Sequence, residues 1–383
     1  MPLFLDNQEQ EQSITPKQAI AALEHGLQQF SRRDAIRRPR IDNLLPSANP
    51  DEYFCFSSME GGIRDPGYYA LRIKPDIYSW PTVLGNKREA TYSYQPGLFG
   101  GLVFLYSTKN AEFLAIMNDG YVQHLRVATT AALGIKYLGR KDATVMGVYG
   151  TGGMARFFPL TAAVVQPLQR LQVYSPNRSR LDKYCKDMSA KLDCEIVPKD
   201  RPEDVTKGAD IVVCCTTSME PVVHAEWMRP GMHFSNVTHW ELSAEACAKI
   251  DAVGLLARRS PVGVSGYIDD HFEIRLNVMS YIGGRPEERA KVPVGKLSEN
   301  RYPNARIVDC CDWETGTPYA RRDEEITILA NCSYGTLEGD VGNSAGIQGI
   351  QFASIAGQIY EGARARGLGK ELPREMFLQD IPT

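Results

Sequence analysis

ATVMGVYGTGGMAR, from Ala143 to Arg156, holds a strand, a tight turn and a helix start in one line. Val145 to Tyr149 is a short apolar run. It leads into Gly150, Thr151, Gly152, Gly153, Met154 and Ala155, a G-x-G-x-x-A pattern. Small and apolar residues follow to Val165, with the composition of a helix. A glycine motif that closes a strand and opens a helix reads as a dinucleotide-binding turn. Gly150 permits the sharp turn, Gly152 lets the backbone approach a pyrophosphate, and Ala155 stands where helix meets strand. The phosphates would sit on free N–H groups at the helix N-terminus.

A second strand, Arg170 to Tyr174, ends in Ser175-Pro-Asn177-Arg178-Ser-Arg180. This lies roughly two dozen residues past the glycines, where the chain should meet the adenine ribose. NAD-binding chains usually place Asp or Glu there to hold the 2′-OH. This chain offers Ser175, Asn177, Arg178 and Arg180 instead, a neutral-to-cationic set suited to a 2′-phosphate. The expected cofactor is therefore NADP(H) in preference to NAD(H).

Strand and helix patterns then alternate. Ser179 to Leu192 is helical in composition, Cys194 to Val197 a short strand, and Arg201 to Gly208 a short helix. Ala209 to Cys215 is an apolar strand ending in Thr216 and Thr217, and Met232 to Val237 another ending in Thr238 and His239. Ligands bind at the carboxyl ends of such strands. Cys215, Thr216, Thr217, Val237 and Thr238 thus join the glycines as expected cofactor contacts. Asp251 to Leu256 reads as the last strand.

The bulk properties are those of a soluble enzyme. The chain has 383 residues, 43% apolar, with net charge −3. That length suits two domains. The charge implies no attraction to nucleic acid. No apolar run of about 18 residues offers a membrane span, and the acidic start is unlike a signal peptide. Nine cysteines without a C-x-x-C read as free thiols in a reducing cytoplasm. Asp269-Asp270-His271 stands without a second cluster, so no metal site is expected.

The flanks carry other patterns. Thr15 to Phe30 and Ser344 to Arg366 read as helices, the latter stopped by Gly367-Leu-Gly369. Between Asp51 and Ala115, five alternating, aromatic-rich segments read as strands: Tyr53 to Ser57, Tyr68 to Ile73, Ala90 to Tyr94, Gly101 to Tyr106 and Glu112 to Met117. Tyr121 to Leu138 reads as a long helix leading to the first nucleotide-binding strand.

AIMNDGYVQHLRVATTAA, from Ala115, resembles the M-D-G-x-x-x-T-x-x-R-T-A-A signature of the ornithine cyclodeaminase/mu-crystallin family. It stands just before the glycine turn, as it does there, and the tail GARARGLGKELP is similar to the family's closing helix. The resemblance implies an α/β chain with two domains. A substrate-binding and dimerisation domain of α+β type would span 1–140, completed by about 310–383. A Rossmann-type doubly wound parallel sheet would span 141–309. It also implies a homodimer, and chemistry on α-amino or α-imino acids: ketimine reduction, amino-acid dehydrogenation or cyclodeamination.

By the same resemblance, the family's helix arginine falls on Arg126, where a guanidinium can grip a carboxylate bidentately. Its early arginine falls on Arg40, as a second carboxylate contact. Its catalytic lysine belongs on a strand before the D-G segment, where Arg72 and Lys74 share one face. Lys74 is the expected proton carrier and Arg72 a substrate contact, because a guanidinium holds its proton near neutral pH. Cyclodeaminases carry G-x-D-x-x-x-x-E-L after the strand ending near Val237. Here Glu241-Leu242 keeps the E-L, but the aspartate is gone and His239 stands nearby as a possible acid. That loss points to an NAD(P)H-dependent reductase or dehydrogenase. The alternatives are an ammonia-eliminating cyclodeaminase and an NADPH-binding, crystallin-like protein with little turnover.

Overall fold

Among the described residues, the chain builds two large sheets and two small two-stranded ones. The computed structural model describes residues 1–83, 85–256, 272–275, 278–293, 301–329 and 347–381. One sheet has eight strands, all paired in parallel. Its spatial order is Glu195–Pro198, Arg170–Tyr174, Val145–Tyr149, Ile211–Cys214, His233–Asn236, Thr327–Leu329, Ala252–Leu255 and Arg306–Asp309. Its central strands, such as Ile211–Cys214 and His233–Asn236, are buried on both faces. Met146 and Val148 face a layer made by the helices Asp119–Leu138, Phe157–Val165 and Arg178–Ser189. Tyr149, Val212 and Cys214 face the opposite layer, with Cys247 of the short helix Ala244–Ala248. The chain order reverses on either side of Val145–Tyr149. That switch point opens a crevice at the carboxyl ends of the strands.

The other sheet is mixed. Its central strands, Ala35–Pro46, Tyr53–Ile63, Tyr68–Ser79, Leu102–Ser107 and Phe113–Asn118, run antiparallel to one another in that order. Alternating burial along Tyr53–Ile63 and Tyr68–Ser79 shows one face turned to the core. That core is filled by the helices Pro16–Ser31 and Gln348–Arg366 and by the start of Asp119–Leu138. Gln348–Arg366 lies so close to the sheet that a Cβ on Gly349 would collide with the Glu60 backbone. It ends at Gly367, whose φ of 64° closes the helix in the left-handed region.

Several expectations are corrected. The Ala35–Pro46 strand was missed, because its three arginines mask the alternation. The boundary near 310 does not separate the sheets: Thr327–Leu329 inserts into the parallel sheet. Conversely, Val278–Ile282 pairs in parallel with Ala35–Pro46 and so belongs to the mixed sheet. Asp251 to Leu256 is not the last strand, since Arg306–Asp309 lies beyond it at the edge. Arg201 to Gly208 holds only a 3-10 turn, Pro202–Asp204, started by the proline. The eight described cysteines are free thiols. Among the described residues, no helix is long and apolar enough to cross a membrane. Asp269, Asp270 and His271 lie outside the described residues.

Candidate active site

The glycine turn forms as its sequence requires. Gly150 has φ 106°, and a Cβ there would come within 2.6 Å of the Cys215 carbonyl oxygen. A Cβ on Gly152 would meet nothing within 4 Å, so this glycine opens onto free space where a ligand backbone can approach. Gly153 and Met154 lead into the 3-10 turn Met154–Arg156 and the helix behind it.

At the switch point lies a cleft of about 380 Å³. Gly150, Thr151 and Gly152 line it, with Ser175 and Asn177 on one wall and Cys215, Thr216 and Thr217 on the other. Asn177 also caps its helix, accepting from the Arg180 backbone N–H at 3.0 Å. The two arginines expected to act together are separated. Arg178 pairs with Asp182 at 2.9 Å and Asp200 at 2.6 Å, away from the cleft lining, whereas Arg180 lines it. Arg88, from the mixed-sheet side, lines it too, and among the described residues no Asp or Glu does.

Val237 and Thr238 are engaged elsewhere. Their backbone N–H groups each donate at 2.9 Å to Oε2 of Glu241. Oε1 of Glu241 accepts from the Thr216 N–H at 2.6 Å and from its hydroxyl at 2.9 Å. One fully buried carboxylate thereby staples two loops at the mouth of the crevice. This is the work of the glutamate in the retained E-L. His239 opens the 3-10 turn that ends at Glu241; its side chain lies outside the described part of the structure.

Burial pushes the Glu241 carboxyl up from 4.5 to about 7, against the pull of those donors. A carboxyl raised on folding contributes stability that is fully present below pH 4.5 and lost as pH rises through about 7. Between those limits, the unfolding free energy of the unmodified protein should fall with pH more steeply than that of Glu241→Gln. Urea denaturation across the window checks this; parallel profiles would refute it.

The mixed sheet presents a polar row to the core side. Arg72, Lys74 and Asp76 alternate along one strand face, and Ser57 stands opposite Lys74 in register. Lys74 forms an ion pair with Asp76, whose side chain is fully buried. Arg40 holds Asp42 bidentately, at 2.7 and 3.0 Å, and donates to the Ser57 hydroxyl at 3.2 Å. Arg72 is buried and gives two bonds, of 2.9 and 2.6 Å, to one oxygen of Asp119.

Arg126 is buried in the same region. It donates to the side-chain oxygen of Gln351 at 2.8 Å and to that of Gln123 at 3.2 and 3.0 Å. The guanidinium carbons of Arg126 and Arg72 lie 5.3 and 5.9 Å from the centre of the Phe352 ring. One helix, Asp119–Leu138, ties these parts together. Asp119 and Arg126 face the polar row, while His124 abuts Gly153 of the glycine turn. Burial lowers the His124 pKa, which favours a neutral ring.

Asp42, Asp76, Gln351 and Glu241 were not anticipated as partners of these groups. Asp76 and Asp42 each stand two residues after their partners, Lys74 and Arg40, a spacing that is legible in the sequence. From Asp119 to Arg126 the spacing is also one residue shorter than in the family signature. Counted back from Arg126, the signature's threonine falls on Gln123, which is the residue bonded to Arg126.

Residues 86–242 match the family model described as the ornithine cyclodeaminase/mu-crystallin family. A Rhizobium meliloti protein is 27% identical over 48% of this chain, a stretch spanning about half (52%) of that relative. The iminosuccinate reductase of Paracoccus denitrificans is 27% identical over 58% of this chain and 64% of its own. The fold is that of Thermococcus litoralis Δ1-pyrroline-2-carboxylate reductase, solved with NADH and L-proline. The TM-score is 0.68 at 20% identity, covering 97% of this chain and all of that one. Across residues 86–242, this chain is similar to the ornithine cyclodeaminase/mu-crystallin family.

Proposed function

We propose that the chain is an NADP(H)-dependent reductase or dehydrogenase of a small imino or amino acid. The observation that carries the reading is the Asp119–Leu138 helix, which brings an arginine-bearing polar row beside a dinucleotide-type glycine turn. The cleft fits the cofactor: Gly152 leaves room for a diphosphate, and two arginines without a lining acid favour the extra phosphate of NADP(H). The relatives named for iminosuccinate and pyrroline-2-carboxylate reduction act on carbon–nitrogen double bonds beside a carboxylate.

When bound, the reduced dinucleotide supplies a hydride to the imine carbon. Arg126 grips the substrate carboxylate, giving up bonds to Gln123 and Gln351. Arg40 is the second carboxylate contact. Lys74, oriented by Asp76, gives a proton to the imine nitrogen, so the C=N becomes CH–NH. Its side chain is 20% exposed, enough to regain a proton from solvent. A second copy has a place to dock: Leu45 and Phe54, paired in register, and Ile36 leave exposed apolar surface on the mixed sheet.

The test is oxidation of NADPH and NADH with a panel of cyclic and acyclic ketimines bearing a carboxylate. Turnover with NADPH preferred is expected. Net ammonia release without nicotinamide consumption would instead favour a cyclodeaminase, and tight NADPH binding without turnover a binding protein. Arg126→Lys should lower kcat/KM by about tenfold or more, because an ammonium cannot reproduce the planar two-bond grip. An unchanged kcat/KM for a substrate with a free carboxylate would remove Arg126 from the site.

A further inference from the structure

Between the strands Tyr68–Ser79 and Leu102–Ser107, the chain leaves the mixed sheet and crosses to the other. A small ladder pairs Thr82 with Lys87 and Val83 with Asn86. The strap then runs beside the loop that follows Ile211–Cys214. The Met219 N–H donates to the Lys87 carbonyl at 3.0 Å, and the Glu89 N–H to the Thr217 carbonyl at 3.4 Å. Between them, Arg88 and Ser218 form an antiparallel bridge. These contacts fasten the strap to the mouth of the nucleotide cleft.

Arg88 is half-buried there and lines the cleft together with Asn86. Among the described residues, no carboxylate pairs with its guanidinium. Arg178, by contrast, is held by two acids. Among the described residues, two arginines thus line the cleft, Arg88 on the strap and Arg180 on the helix Arg178–Ser189, and no Asp or Glu does. Opposed cations in a concave, partly apolar site concentrate an anion between them. The strap has little else to hold it: Thr82, Val83, Asn86 and Lys87 are all exposed. An element with few buried contacts opens easily unless a ligand pins it.

We propose that Arg88 binds a phosphate group of the dinucleotide across the cleft from Arg180, so that cofactor binding pins the strap and joins the two sheets. This rests on the dinucleotide reading above. It adds a cofactor contact from outside the parallel sheet.

The experiment titrates the full chain, unmodified and as Arg88→Gln and Arg88→Lys, with NADPH and with NADH. The fluorescence of Trp227, which lines the cleft, provides the readout. Arg88→Gln should raise the Kd for NADPH by about tenfold, and Arg88→Lys by less, as expected for loss of a charged phosphate contact. An equal loss for both nucleotides assigns Arg88 to the diphosphate, and a loss for NADPH alone to the 2′-phosphate. In parallel, NADPH should slow tryptic cleavage after Lys87 in the unmodified protein but not in Arg88→Gln. If the unmodified protein binds and Arg88→Gln matches it within twofold for both nucleotides, Arg88 makes no such contact and the proposal fails alone. If the unmodified protein binds neither, the dinucleotide reading falls and takes this proposal with it.

Discussion

Lys74→Met should cut kcat by about two to four orders of magnitude, the usual contribution of a positioned general acid, while NADPH affinity stays within twofold. Lys74 sits on the mixed sheet and does not line the nucleotide cleft, so cofactor binding is insulated from the change. The variant leaves Asp76 buried without its ammonium partner. A companion Lys74→Met/Asp76→Leu variant therefore separates lost chemistry from lost folding. If the double variant regains stability but not turnover, the proton-transfer role stands. Full kcat in a folded Lys74→Met across about pH 6 to 9, a range that spans the charge change of an ordinary histidine, would end it. His239 or a bound water would then take its place.

The second large effect is on stability. Arg72→Met should cost about 3–5 kcal/mol, because it strands the Asp119 carboxylate in the core without its counter-charge. Both side chains are under 10% exposed, at 3% and 9%. Arg72 had been expected to contact substrate; its two bonds to Asp119 make it first a structural tie between the mixed sheet and the helix that carries Arg126. Urea denaturation should show the loss for Arg72→Met, and Arg72→Met/Asp119→Leu should recover most of it. A single variant as stable as the unmodified protein would show that the pair contributes nothing.

The glycine turn was legible because it is local. Strand, turn and helix start fit into fourteen consecutive residues, and each glycine has a backbone reason. The long helix and its arginine were legible by periodicity and by likeness to a family. The partners of those groups were not. Arg72 and Asp119 stand 47 residues apart, and Arg126 and Gln351 stand 225 apart. Nothing in a linear pattern marks which distant side chain a fold will bring to a buried charge. Arg178 and Arg180 show the same limit at short range. Two residues apart on a helix, they point to different neighbours: Asp182, one turn on, and the more distant Asp200 neutralise Arg178. The Ala35–Pro46 strand failed for a different reason: a polar face turned inward hides the apolar alternation by which strands are read.

Thr327–Leu329 sits between His233–Asn236 and Ala252–Leu255, paired to both. Thr327 bonds to the buried His233 ring at 2.9 Å, and the Ile326 N–H to Asp251 at 2.8 Å. Three residues near the end of the chain thus act as the keystone of a sheet begun at Val145. During synthesis, the earlier strands must wait with a gap between them, two unsatisfied edges facing each other, until the ribosome has released this segment. Contacts so remote in sequence slow folding and expose sticky intermediates. Shortening the chain from its C-terminus past this point would therefore not trim a tail. It would split the sheet in two.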